Sequence, residues 1–228
     1  MPALSRKKLL TGVILAFVLF FAILLLVPFI ARLLQLGKEP TYWFSRFSFW
    51  AGLAVLLAYV VKVEKQPFLL WKESRQNIWF YLLSFIAIIV TIYIGSIMIA
   101  IILKVMHLSS TSKRFLQVLE IFRHDIPLML FTCITAGATE EFVFRGYMMP
   151  RLQLLFNNPF ITIGVSSFLF AILHIGYGTV NQVIGPLFIG CVFAIHYYKF
   201  RNIRVLMFCH FFWDLQAMLI NLAYYKHP

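Results

Sequence analysis

Apolar residues run through this chain in long unbroken blocks, neither alternating with period two nor confined to one helical face. Blocks of this length read as helices that cross a bilayer, because about 20 apolar residues span its hydrocarbon. The blocks are Leu9 to Ala31, Phe47 to Val61, Ile78 to Leu103, Ile126 to Met149, Phe160 to about Ile175, Val180 to Tyr198 and Ile203 to Tyr225. The first follows Arg6, Lys7 and Lys8. It far exceeds the ~7–15 residues of a signal-peptide core, and no small-residue cleavage site follows, so it reads as a retained helix. The second is short unless Trp43 and Arg46 anchor its start. Between spans, Lys62 to Asn77 carries Pro67 and mixed charges. Lys104 to Asp125 sets Lys113, Arg114, Glu120 and Arg123 among Phe115, Leu116, Val118, Leu119 and Phe122, an amphipathic pattern suited to the membrane interface. The expected fold class is all-α: a polytopic transmembrane helical bundle of about seven spans, with six to eight as the range. Residues 1–125 supply N-terminal helices and amphipathic loops, and 126–228 the chemistry-bearing core.

Composition excludes the soluble alternatives. The 228 residues are 62% hydrophobic and 12% charged, against about 45–50% and 25% in soluble domains. No soluble interior hides that much apolar surface. The net charge of +12 therefore belongs to loops that set orientation and meet anionic lipid, and calls for no nucleic acid. Eleven Lys and Arg fall on the N-terminal side and eight on the other, which favours an inside N-terminus. Cys133, Cys191 and Cys209 are scattered through apolar segments and read as small core residues. Short loops without a retention signal point to a bacterial plasma membrane.

Charged and polar side chains inside spans cost from ~2.5 to over 10 kcal/mol each and mark function by default. Glu140, Glu141, Arg145, His174, His210 and Asp214 are such residues. Glu141 and Arg145 lie four apart, so on a helix they share a face and pair as scaffold. Glu140, about a quarter turn round, has no local cation and is free to act as a general base or acid. His210 and Asp214 repeat the spacing, so Asp214 can orient or polarise His210. Counted at ~1.5 Å per residue, Glu140 sits ~15 Å, His174 ~21 Å and His210 ~10 Å from the same membrane face. These depths are compatible with one layer, reached by water through a polar cavity. His107, His124 and His227 read as solvated, and His196 as interfacial. Gly185, Gly190 and Ala194 allow close helix packing.

The ordered set Glu140-Glu141-Phe-Val-Phe-Arg145-Gly146, Phe170-x-x-x-His174, a small-residue helix around Gly190, and His210-x-x-x-Asp214 resembles the CAAX protease and bacteriocin-processing family, also called Abi or CPBP. The resemblance covers roughly Ile126 to Ala217. It implies an intramembrane endopeptidase, related to the CAAX prenyl endopeptidases, that acts on a membrane-associated peptide or protein. Glu140 would activate the hydrolytic water with help from His174, Glu141 and Arg145 would be scaffold, and His210 with Asp214 would polarise the scissile carbonyl. The family often has Asn where Asp214 stands. An ionised Asp cannot donate a hydrogen bond, so Asp214 either stays protonated or only orients His210. No cofactor is expected. The alternative is zinc held by Glu140, His174 and His210, three ligands plus water being a legitimate catalytic geometry. Three further readings compete: a non-catalytic immunity or regulatory protein of the same fold, a proton-coupled transporter, and a haem-binding bundle using His174 and His210. In a bacterial setting the substrate would be a leader peptide, pheromone or sorting signal.

Overall fold

In the computed structural model, which describes residues 5–108 and 112–224, all regular structure is helical and no strand occurs among the described residues. α1 covers Arg6–Leu33, started by Ser5, whose side chain accepts from the Lys8 amide. α2 covers Lys38–Tyr59 and runs on through a π turn, Val60–Glu64. α3 covers Ile78–Val105 and α4 the amphipathic stretch Lys113–His124, capped by Asn77 and Ser112 respectively. α5 covers Ile126–Thr135 and passes through two π segments, Ala136–Glu140 and Phe142–Met148, into α6, Met149–Phe156. α7 covers Pro159–Ile172 and is followed by a 3₁₀ turn, Ile175–Tyr177. α8 covers Asn181–Phe200 and α9 Ile203–Tyr224.

Among the described residues, seven helical stretches are long and apolar enough to cross a membrane. With the composition, they make this an integral membrane protein. They coincide with the expected spans except at two boundaries. The second begins at Lys38, not Phe47, and reaches Glu64. Gly37 in extended conformation starts it, and its polar opening turns hide a helix that an apolar count misses. The fourth continues past Met149 to Phe156. Arg151 does not end it, because that side chain is buried and paired rather than solvated. Asn157, with a left-handed φ of 49°, ends it instead. The proposed span end Tyr225, and Lys226 and His227 beyond it, lie outside the described residues.

The fourth span is the axis of the bundle. In its most apolar window 56% of residues are buried, against 22–33% in the other spans, so its charges lie in protein rather than lipid. On one side, Phe20 and Phe49 of α1 and α2 pack on Phe144 and Tyr147. On another, Ile92 of α3, Phe193 of α8 and Leu206 of α9 form a second cluster with Met149. Val118 and Phe122 of α4 pack on Leu128 and Met129, so the apolar face of α4 is spent on the bundle. The outward side chains of α1 and α3, such as Leu25 and Ile94, are exposed as lipid-facing residues should be. His196, read as interfacial, is buried between Phe80 and Phe200 with neither ring nitrogen hydrogen-bonded.

Candidate active site

The glutamates sit where the fourth span leaves α-helical geometry. π-helical turns bond i to i+5, widen the backbone and collect at functional sites. In the second π segment the Phe144 carbonyl accepts from the buried Ser166 hydroxyl at 2.9 Å. Gly137, just before the glutamates, allows α9 to approach closely. A Cβ there would lie 2.8 Å from the Met207 carbonyl oxygen and 3.0 Å from the Phe211 nitrogen. This approach seats His210 against the π segment.

Arg145 anchors the cluster. Its Nη1 donates to Glu141 Oε1 at 2.9 Å, and both side chains are fully buried. Its Nη2 donates to the Gly190 carbonyl at 3.1 Å, and the guanidinium lies 4.5 Å from the centre of the Phe170 ring. Gly190 is needed for this arrangement: a Cβ would meet Arg145 Nη2 and Phe170 Cδ1, each at 3.2 Å. Gly185, expected to serve the same purpose, has nothing within 4 Å of its Cβ position. The expected Glu141–Arg145 pair is thus present, and it extends further than the spacing shows.

His210 joins that pair from α9. Its Nδ1 lies 2.8 Å from Glu141 Oε1. A carboxylate already paired with arginine only accepts, so Nδ1 carries the proton of this bond. Nε2 faces Asp214 Oδ2 at 3.5 Å, an ion-pair distance beyond a good hydrogen bond. Glu141, 69 positions away in sequence, is therefore the closer orienting partner, and Asp214 flanks the opposite nitrogen. The ring packs against Phe170 and Phe193, with centroids at 5.9 and 5.7 Å.

His174 is held separately. Its Nδ1 meets the Phe170 carbonyl at 3.1 Å, which accepts, so that nitrogen is the donor and Nε2 of the neutral ring is an acceptor. Its ring lies between Phe170 at 5.0 Å and a stacked Tyr177 at 6.3 Å. Glu140 is half-buried, and its Oε2 is shielded and has no hydrogen-bond partner. Glu141 Oε2 is likewise unpartnered, because both contacts of Glu141 use Oε1.

One expectation fares differently. The set Glu140, His174 and His210 is not gathered as metal ligands: among the described residues, no group of three or more His, Cys, Asp or Glu side chains is placed to hold a metal ion. The side chains as arranged do not fit zinc, and no step below is routed through one. A cavity of about 390 Å³ has Leu173 and Tyr177, next to His174, in its wall, and none of the six motif residues lines it.

A second buried ion pair escaped the sequence reading. Arg151 Nε donates to Glu64 at 3.1 Å, and the Tyr147 hydroxyl donates to the same carboxylate at 2.8 Å. This ties the π turn of α2 to α6 beneath the site. Its only sequence trace is Glu64 among loop charges that otherwise read as solvated.

Residues 122–216 match the family model of Rce1-like type II CAAX prenyl endopeptidases. That segment contains all six motif residues, from Glu140 to Asp214. The resemblance read from the motifs is borne out over this part of the chain, and at family level it is a likeness to CAAX-type intramembrane proteases. No curated protein and no solved structure matches the chain.

Proposed function

We propose that this protein is an intramembrane endopeptidase that hydrolyses a peptide bond of a membrane-associated peptide or protein, using a water activated by Glu140. The observation that carries this reading is the contrast between adjacent carboxylates. Glu141 is committed to Arg145 and His210, whereas Oε2 of the adjacent Glu140 is shielded and has no hydrogen-bond partner. A half-buried carboxylate with no ion-pair partner is suited to taking up a proton from a water.

In this mechanism a water would donate one proton toward Glu140 and the other toward His174 Nε2, the nitrogen left as acceptor by the Phe170 contact. As Glu140 takes its proton, the water oxygen adds to the scissile carbonyl. A proton on His210 Nε2 would meet the developing oxyanion, with Nδ1 fixed by Glu141 so that the ring need not reorganise. Glu140 then returns its proton to the leaving amine, and the carbon–nitrogen bond breaks. Asp214 serves His210 by charge and position, since an ionised carboxylate offers no donor. Arg145 holds Glu141 and touches no substrate. The setting we favour is a bacterial plasma membrane.

The test compares membrane and secreted peptides from cells making wild-type protein or Glu140→Gln at matched levels. New peptide termini are expected only with wild type, and purified wild-type protein should keep cleaving that peptide after chelation of divalent metal. Identical peptide profiles with a retained cellular phenotype would overturn the proposal in favour of a non-catalytic immunity or regulatory role. Loss of cleavage on chelation, restored by zinc, would overturn the metal-free mechanism while keeping the protease.

A further inference from the structure

The 390 Å³ cavity lies between the second half of α1, the start of α2, α4 and the turn after α7. It is amphipathic along its length. Leu24, Leu25 and Pro28 of α1 supply apolar wall, and Lys38, Arg46 and Arg114 supply cations. Among the described residues, its wall holds no Asp or Glu.

Among the described residues, no carboxylate stands within ion-pair distance of Lys38, Arg46 or Arg114. At longer range the charge of Arg46 also acts on Glu140 and Asp214. Arg46 Nη2 donates to the neighbouring Ser45 hydroxyl at 3.0 Å, the guanidinium lies 5.0 Å from the centre of the Phe49 ring, and its Nε is shielded without a hydrogen-bond partner. Arg114 gives one donor to the Gly176 carbonyl at 3.0 Å. Both arginines share the cavity wall with Tyr42, near enough for their charges to act on its hydroxyl. A shielded guanidinium nitrogen with no acceptor, beside two cations with no ion-pair partner, suits an anion.

Position decides which anion. Lys38 opens α2 and Arg114 lies in the first turn of α4, so both stand at helix ends, the headgroup level of a spanning bundle. Arg46 lies eight residues further along α2, ~12 Å deeper, an interval its long side chain can shorten but not close. Leu25 and Ile175, at 60% and 62% exposure, form the rim and face hydrocarbon. The cavity therefore runs from two cations at the membrane surface, Lys38 and Arg114, past the deeper Arg46 and along an apolar wall. That is the polarity of a phospholipid, not of a free anion.

We propose that this cavity binds one anionic phospholipid, its phosphate held between Arg46 and Arg114 with Tyr42 as a further donor, and an acyl chain lying along Leu24, Leu25 and Pro28. The bound lipid would rest against Tyr177, whose ring stacks on His174, so the site is placed to report membrane charge to the catalytic cluster. Binding itself does not depend on the proteolytic reading.

The test is native mass spectrometry of the full-length protein released from micelles containing equal phosphatidylglycerol and phosphatidylcholine. Wild type should retain phosphatidylglycerol preferentially. The preference should fall about fivefold for each of Arg46→Gln and Arg114→Gln, at the usual strength of one basic residue toward anionic lipid. Arg114→Gln alone, at the exposed mouth, supplies this result in a chain whose interior is untouched, and Arg46→Lys should restore most of the loss at the deeper position. Arg75→Gln with Arg204→Gln, in a separate polar cavity, should leave the preference intact. Equal retention of the two lipids, an unchanged preference in the Arg46 and Arg114 variants, or an equal fall in the control pair would overturn the proposal. So would complete displacement of the lipid by inorganic phosphate. Arg46-dependent binding of a peptide carboxylate, with lipid retention independent of Arg46, would overturn it and give the cavity to the substrate.

Discussion

Replacing Glu141 by glutamine separates charge from hydrogen bonding at the centre of the site. Glutamine keeps the shape of Glu141, and its amide oxygen can still accept from Arg145 Nη1 and His210 Nδ1, now at 2.9 and 2.8 Å from Oε1. It removes the carboxylate that pairs with the fully buried Arg145 guanidinium. Hydrogen bonds between membrane helices average about 0.6 kcal/mol, because the unfolded chain in the bilayer also finds partners. If these bonds were the whole contribution, even alanine at this position would cost only about 1 kcal/mol, and glutamine less. Leaving one partner of a buried ion pair uncompensated costs about 3–5 kcal/mol. The charge term is thus the larger by a factor of about three or more. Glu141→Gln should therefore lose most of what Glu141→Ala loses, about 3 kcal/mol or more. Glu140→Gln, which removes a carboxylate with no ion-pair partner, should stay within about 1 kcal/mol of wild type. The assay is reversible unfolding of the purified protein in mixed micelles, followed by tryptophan fluorescence. A Glu141→Gln protein within 1 kcal/mol of wild type would refute the reasoning, as would a Glu140→Gln protein destabilised as much as Glu141→Ala.

Further outcomes follow from the same geometry. Glu140→Gln should reduce cleavage by about 10²–10⁴, the range for a general base, at unchanged protein level, as read from product termini in matched membranes. Gly137→Ala should cost about 1–3 kcal/mol and lower cleavage as well, because its Cβ meets backbone atoms of α9 that carry His210; normal unfolding and activity would show that α9 yields freely. Glu64→Gln and Arg151→Met should each destabilise by about 3–5 kcal/mol alone and by much less together, a non-additivity that a double-mutant cycle measures directly. His174→Ala should abolish cleavage while leaving the unfolding midpoint near wild type, since the ring's one hydrogen bond is to a backbone carbonyl; equal loss of both would make His174 structural.

The hydrophobic pattern by itself determined the class, the number of spans and most of their limits, because a bilayer requires long apolar helices whatever their neighbours. It also isolated the glutamates, histidines and aspartate, since charge in an apolar run stands out, and the i,i+4 spacing found the Glu141–Arg145 pair. The misplaced limits have one physical cause. Lys38, Glu39, Arg46 and Arg151 look like interruptions to an apolar count, yet helices run through them because their polar groups face a protein cavity, a helix end or a buried partner. Only the tertiary structure decided that His210 hangs from Glu141, that Arg151 closes on Glu64, and that Gly137 and Gly190, but not Gly185, mark close approach. Each of those contacts joins residues dozens of positions apart, and periodicity along one helix carries no information about which face of another helix it will meet. The cation-lined cavity is invisible for the same reason: Lys38, Arg46 and Arg114 lie on two helices separated in sequence by the whole of α3, and only their packing brings them together.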